Sequence, residues 1–377
     1  MNLREGRIDR ILLLTVLVLL GLGSVTVFSS STSVSTEFYG SSTAMFLNHL
    51  TKVAFGLVLL FVLTAADYKL LLRRRLVPPV VVGSMVLLAL TLIPDFPWAV
   101  TVKGATRWIR IGFLVIQPAE IAKLALVVYV ASILAQGEGR IRDYKRGFAR
   151  VLTVLGIFSV FLMLQPNFGN VLSLSLITVI MLFLGGARLS HLTGSGVGLA
   201  PIVVVLGMQK PHVMRRLTTF MDPQGDPFGA GFQLHQSLVA FGSGGLFGLG
   251  PGGSRQSDFF LPDCHTDFVF AVLGEEFGLL GTLGVVMLFG IVIWRGIVIS
   301  RASRDLFGRY LALGITAMIG VVAFLNMAVV LGLAPTTGLP LPFLSYGGSA
   351  MLVNLGGVGM LLSISARSSA PRRRVLV

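Results

Sequence analysis

Apolar stretches of bilayer length recur from one end of this chain to the other, and they narrow the choice of fold more than any other feature. They cover residues 11–30, 46–66, 77–94, 115–136, 150–165, 170–186, 192–208, 268–294, 308–333 and 344–366. A hydrocarbon core about 30 Å thick takes about 20 residues of α-helix to cross. Only helices and closed barrels satisfy all backbone polar groups there. The runs are continuous rather than alternating, so they read as helices. Of the 377 residues, 54% are hydrophobic and only 12% charged, against about 25% charged in soluble domains. The expected fold is an all-α polytopic membrane protein, one domain over 1–377, with ten transmembrane helices and a long extracytoplasmic loop between helices 7 and 8.

Ten spans put both termini on one side, and the distribution of basic residues says which. With the N-terminus cytoplasmic, that side receives 21 of the 30 Lys and Arg, including Arg73 to Arg75, Arg140, Arg142, Arg304 and Arg372 to Arg374. The outer side receives seven, and Lys52 and Lys123 fall within spans. Positive residues stay inside, so both termini are expected in the cytoplasm. The net charge of +14 then reflects topology and contact with anionic headgroups, and no nucleic-acid partner is expected. The one cysteine, Cys264, forms no internal disulfide. The polar stretch before residue 11 leads into a run too long for a signal sequence, so the first helix is read as uncleaved.

Polar chemistry gathers on the outer side. Residues 95–114 form a loop with Trp98, Lys103, Arg107, Trp108 and Arg110, and residues 209–267 form a longer one with Arg215, Arg216 and seven phenylalanines. So many apolar anchors predict that the longer loop packs on the bundle or dips into the membrane surface. Gly242 to Gly253, GSGGLFGLGPGG, lacks the Lys-Ser/Thr ending of a nucleotide loop and reads as a flexible or tightly turning connection. Asp267 opens the eighth span. At 100° per residue, Ala271, Gly274, Gly278 and Gly281 share its face, so a helix or ligand has room to approach below the carboxylate. A stabilised helix N-terminus is the plain alternative for Asp267.

Glu275 and Glu276 lie deeper in that span; proton transfer is one reading, and pairing with a basic residue of a neighbouring helix is the expected one. Glu120 and Lys123, three apart, share a face and read equally as an internal ion pair or as a ligand site. His49 and Lys52 are explained by snorkelling to the interface. Asp263, His265 and Asp267 make at most a weak metal pattern, leaving Mg²⁺ or Mn²⁺ bridging carboxylate and phosphate open.

Several segments, taken in order, resemble one family over nearly the whole chain: RWIRIG at 107–112 with QPAEIAKLA at 117–125, QPNFG at 165–169, DPFGAGFQLHQS at 226–237, GSRQ at 253–256, LPDCHTDFVFAVLGEEFG at 261–278 and PTTGLPLPFLSYGGS at 335–349. The family is the SEDS group (shape, elongation, division and sporulation) that includes RodA and FtsW; GSRQ and TTGLPLPF look more like the FtsW members. Asn167 departs from the usual QPD, which leaves that position a turn role rather than a carboxylate one.

The resemblance implies a ten-helix glycosyltransferase that polymerises lipid II into glycan strands outside the bacterial cytoplasmic membrane. It also implies a class B penicillin-binding protein as crosslinking partner and an essential aspartate at Asp267. The partner is expected to meet helices 8–9 and the outer loop, alongside other divisome proteins. Chemically, Asp267 serves as general base for the attacking sugar 4-hydroxyl, with inversion at the anomeric carbon. Lys123, Arg107, Arg110, Arg215 and Arg216 are candidate cations for the departing pyrophosphate, and Glu120, Trp108 and His265 complete the candidate substrate contacts. No tightly bound cofactor is expected beyond that possible Mg²⁺ or Mn²⁺. Rival readings are a lipid II flippase, a RodA-type elongation polymerase and a non-catalytic scaffold.

Overall fold

The computed structural model describes residues 7–73, 75–94, 96–102, 104–112, 114–197, 211–221, 230–256, 261 and 264–368. Its principal helices are α1 Arg10–Tyr39, α2 Ala44–Ala65, α3 Val77–Leu90, α4 Pro118–Leu134, α5 Ala149–Leu164, α6 Phe168–Leu184, α7 Pro211–Met221, α8 Ala230–Gly244, α9 Val269–Ala302, α10 Leu306–Val330 and α11 Gly348–Ser368. The seventh apolar segment, 192–208, is helical as far as residue 197, and the rest lies outside the described residues. Among the described residues six helices are long and apolar enough to cross a membrane: α1, α2, Tyr144–Leu164 (which contains α5), α9, α10 and α11; α3 and α6 are shorter apolar helices.

The first helix runs nine residues past its apolar segment. Its second half is rich in Ser and Thr, whose hydroxyls turn back on the helix: Thr32 donates to Phe28 O at 2.7 Å and Thr36 to Thr32 O at 2.9 Å. These bonds keep a polar stretch helical until Gly40 caps it. At 1.5 Å per residue, 30 residues reach about 45 Å, well past the apolar core. At its start, Asp9 caps the first turn through Leu12 N–H at 3.0 Å.

Two expectations need correction. The fold is not purely helical. Residues 99–116 form a three-stranded antiparallel sheet, β1 Ala99–Val102, β2 Ala105–Ile111 and β3 Leu114–Ile116. Two-residue connections join the strands, with Val102 opposite Ala105 and Ile111 opposite Leu114. Alternating β-branched and polar residues favour such a hairpin.

Nor is the eighth segment one continuous helix. At Gly278, φ 65° and ψ −163° break α9, a conformation glycine adopts at little cost. The break exposes carbonyls and amides that need partners, and the glycine-rich stretch 242–253 supplies them. Leu249 and Gly250 N–H donate to the Glu275 and Glu276 carbonyls at 3.0 and 2.9 Å, while Leu279 and Leu280 N–H donate to Gly245 and Leu246 O at 2.9 and 3.2 Å. A Cβ on Gly278 would strike Gly248 N, and one on Gly248 would strike the Glu276 carbonyl. That stretch is a docked plug against the helix, not a flexible connection. The small-residue face below Asp267 is likewise filled by the outer loop: the Phe241 ring of α8 lies against Gly274.

Around this, α4 is buried along most of its length, with Ala122, Leu126, Val127 and Val130 at 0–1% exposure. It packs against α3, α5, α6, α10 and α11. One end of the bundle is tied by ion pairs: Arg295 to Asp9 at 2.5 Å, Arg367 to Asp67 at 3.4 Å and Lys69 to Asp305 at 3.2 Å.

Candidate active site

Asp267 stands two residues before α9, on a segment held from three sides. Cys264 is buried, its Sγ donating to Ser30 O of α1 at 3.4 Å. Tyr346 N–H donates to His265 O at 2.9 Å. Asn326 of α10 donates through Nδ2 to both Asp267 O, at 2.8 Å, and Leu339 O, at 2.7 Å. The half-buried Asp267 opens onto a cavity of about 180 Å³, lined also by Phe268, Arg216, Gln233, Asn326, Val329 and residues 336–339. Loop 335–343 comes so near that a Cβ on Gly338 would sit 3.5 Å from Asp267 Oδ2.

One arginine lines this cavity and a second stands near enough to interact with it. Arg216 of α7 lines it and donates through Nη1 to Thr336 O at 3.0 Å. Burial lowers the Arg216 guanidinium below its usual range, while the Asp267 charge acts to raise it. Arg107 of β2 donates to Gln165 O at 3.0 Å and Pro166 O at 2.7 Å, on the turn between α5 and α6. It too is lowered, first by burial and then by Arg216, with Asp267 opposing. Arginine stays protonated in proteins, so both remain cationic and share an electrostatic neighbourhood with Asp267.

Other candidates stand elsewhere. Strand alternation turns Trp108 and Arg110 away from the face that carries Arg107 and buried Ile109, and Arg110 is exposed. Arg215, one residue from Arg216 and so about 100° around the helix, is exposed as well. His265 stacks its ring edge-on to Tyr346 at 5.8 Å and does not line the cavity. Lys123 and Glu120 form an ion pair at 2.7 Å, each 2% exposed, and neither lines the cavity.

His49 does not snorkel, being 1% exposed, while half-buried Lys52 sets its Nζ 4.1 Å from the Tyr346 ring centre. Pairing of Glu275 and Glu276 with a basic side chain is also overturned. Glu275 accepts from the Ser243 and Ser254 hydroxyls and from Arg255 and Gln256 N–H. Glu276 accepts from the Ser29 hydroxyl and Gly252 N–H. These acids clamp the GSRQ turn to the helix break, with hydrogen-bond donors in place of a cation. Among the described residues no three His, Cys, Asp or Glu side chains converge as a metal site; Asp263 lies outside them.

Asn167 serves the turn: Val171 N–H donates to its carbonyl at 3.3 Å and Asn170 Nδ2 to its Oδ1 at 3.0 Å. The residues the sequence reading missed are Asn326 and Gln233. An isolated Asn within an apolar helix was the available signal, since polar groups there usually serve function.

The profile of the cell cycle protein family of FtsW, RodA and SpoVE matches residues 10–370. The chain belongs to this family. Among relatives, a Trichlorobacter lovleyi protein named "Probable peptidoglycan glycosyltransferase FtsW" is 42% identical over 96% of this chain and 94% of its own. A Thioalkalivibrio protein of the same name is 41% identical over 98% and 92%. Among solved structures, a chain from a peptidoglycan synthase complex that coordinates polymerization and crosslinking is 28% identical, with TM-score 0.78 over 96% of this chain and 98% of that one. Thermus thermophilus RodA, a rod shape determining protein, is 28% identical with TM-score 0.68, over 97% and 98%. Within the family architecture, the HTD aspartate of this member sits on the cavity just described.

Proposed function

We propose that this chain is a peptidoglycan glycosyltransferase of FtsW type, polymerising lipid II at the outer face of the bacterial cytoplasmic membrane during division. Identity of 37–42% to proteins named FtsW, against 28% to Thermus thermophilus RodA, supports the division role over elongation. The single observation that carries the chemistry is Asp267 and Arg216 on one cavity wall, with Arg107 close enough to feel both charges.

In this reading the Asp267 carboxylate takes the proton from the acceptor sugar's 4-hydroxyl as its oxygen attacks the donor's anomeric carbon. The bond to the undecaprenyl pyrophosphate breaks as the new bond forms, and the configuration inverts. Pyrophosphate leaves without an added proton, its charge met by Arg216 and Arg107. Lys123 and Glu120 are assigned to the bundle interior, and Arg110, Arg215, Trp108 and His265 to the rim. Asp267 would be the residue to hold an Mg²⁺ or Mn²⁺ ion, which would supply the positive charge instead, and titration with a chelator separates the two.

A volume of about 180 Å³ lies below the roughly 300–1,000 Å³ of ordinary ligand sites. Two glycolipids therefore require more room than the cavity offers in this structure. A class B penicillin-binding protein meeting the eighth and ninth spans (α9 and α10) and the outer loop is the proposed partner, supported by the family likeness to a synthase complex. In the proposed ten-span topology, with both termini cytoplasmic, the cavity faces outward. The test is incubation of purified chain, with and without that partner, with lipid II and sizing of products on a gel. Glycan polymer is expected; movement of lipid II across liposomes with no polymer would make the chain a flippase.

A further inference from the structure

Asn326 is 2% exposed on an otherwise apolar face of α10, and its amide does two things at once. Its nitrogen donates to Asp267 O at 2.8 Å and to Leu339 O at 2.7 Å, using both N–H bonds on the two walls of the cavity. The amide cannot be turned over, because its oxygen would then face two carbonyls. Oδ1 is buried without a partner, and leaving an amide oxygen so placed costs stability that simple packing of α10 against α9 would not demand.

Asp267 belongs to neither the regular helix nor a free loop. Its carbonyl is captured by Asn326, and that fixes the backbone from which the carboxylate projects. The same amide holds Leu339, and with it Gly338, beside Asp267 Oδ2. One side chain thus sets the spacing between the carboxylate and the loop it faces.

We propose that Asn326 is the positioning residue for Asp267, holding its carboxylate at the reacting distance from the acceptor hydroxyl through the paired bonds to Asp267 and Leu339. This rests on the reading of Asp267 as general base. A misplacement near 1 Å can cost about 100-fold in rate, so loss of the clamp is read in kcat.

The full-length protein with its partner, assayed on purified lipid II, provides the test. Asn326→Leu keeps the volume and removes the donors; Asn326→Ser is the gentler second variant, small enough to be accommodated. Both are expected to fold and to lower kcat, Asn326→Leu by about 100-fold, with KM for lipid II within about twofold. Unaltered kcat in both, a rise in KM alone, or failure of both to fold would overturn the proposal in favour of a structural or binding role. Asp267→Asn run alongside separates the two readings. Polymer from Asp267→Asn defeats the base assignment, whereas an inactive Asp267→Asn beside fully active Asn326 variants defeats only the positioning role.

Discussion

In the proposed reaction Asp267 must be ionised when it meets the sugar hydroxyl, and positive charge must meet the diphosphate as it departs. Arg216 answers the second demand at short range, lining the same cavity, and Arg107 from farther back. Arg216→Ala is expected to lower kcat/KM for lipid II by about 10- to 100-fold, with Arg216→Lys recovering only part, because a point charge replaces a planar fork. Steady-state kinetics on purified lipid II checks this; full activity of Arg216→Ala would leave the pyrophosphate charge to other groups.

Lys123 belongs to a different account. With both partners of its ion pair 2% exposed, Lys123→Ala strands the Glu120 charge in the bundle. Breaking a buried pair this way costs about 3–5 kcal/mol, so the thermal midpoint should fall. The pair Glu120→Gln with Lys123→Met should restore it. A Lys123→Ala variant that keeps its midpoint but raises KM would return Lys123 to ligand binding.

Among the elements, the break in α9 organises the outer side. Its orphaned backbone groups are met by the glycine-rich plug, and its two glutamates by the turn at 252–256. Gly278→Ala adds a Cβ against Gly248 N at a positive φ, a backbone region that costs other residues about 1–3 kcal/mol before any clash. It is expected to lose most of its monodisperse yield in detergent, while Gly284→Ala, with open space around it, keeps it. Equal yields would mean that the plug is not needed to hold the helix.

This break marks the limit of what the sequence disclosed. Apolar runs mark α1, α2, α10 and α11 because a membrane span leaves a strong compositional trace. Gly274, Gly278 and Gly281 were visible as small residues, but nothing local distinguishes a packing glycine from a broken turn. The identity of the segment filling that face depends on a contact made some thirty residues away. The strands at 99–116 were hidden for a smaller reason: alternation over a few residues is weak beside twenty-residue apolar runs. Asp267 and Arg216 were visible as residue types, yet the separation of Arg107 from Arg110 emerges only once the strand exists.

At the scale of the whole molecule, residues read as cytoplasmic meet at one end. Asp9, Asp67, Lys69, Arg295, Asp305 and Arg367 pair across α1, α9, α11 and the 66–70 turn. Asp267 lies beyond the other end of α9, and the plug docks on that half of the helix. Cys264 is buried, so a Cys264→Ser background suits labelling. In it, Arg255→Cys is expected to react with a membrane-impermeant maleimide on whole cells stripped of outer barriers, and Arg304→Cys only after permeabilisation. The reverse pattern would turn the cavity toward the cytoplasm and remove any extracytoplasmic polymerase.

One measurement bears most directly on the central claim that Asp267 removes the proton during glycan transfer. Asp267→Asn replaces one oxygen by an amide nitrogen of nearly the same size, and it leaves the carbonyl bonded to Asn326 in place. With thermal midpoint and lipid II binding matched to the unsubstituted protein, its single-turnover rate of chain elongation in the presence of the partner should fall to background. Elongation within tenfold of the unsubstituted rate would contradict the account, because general-base catalysis typically contributes about 10²–10⁴-fold.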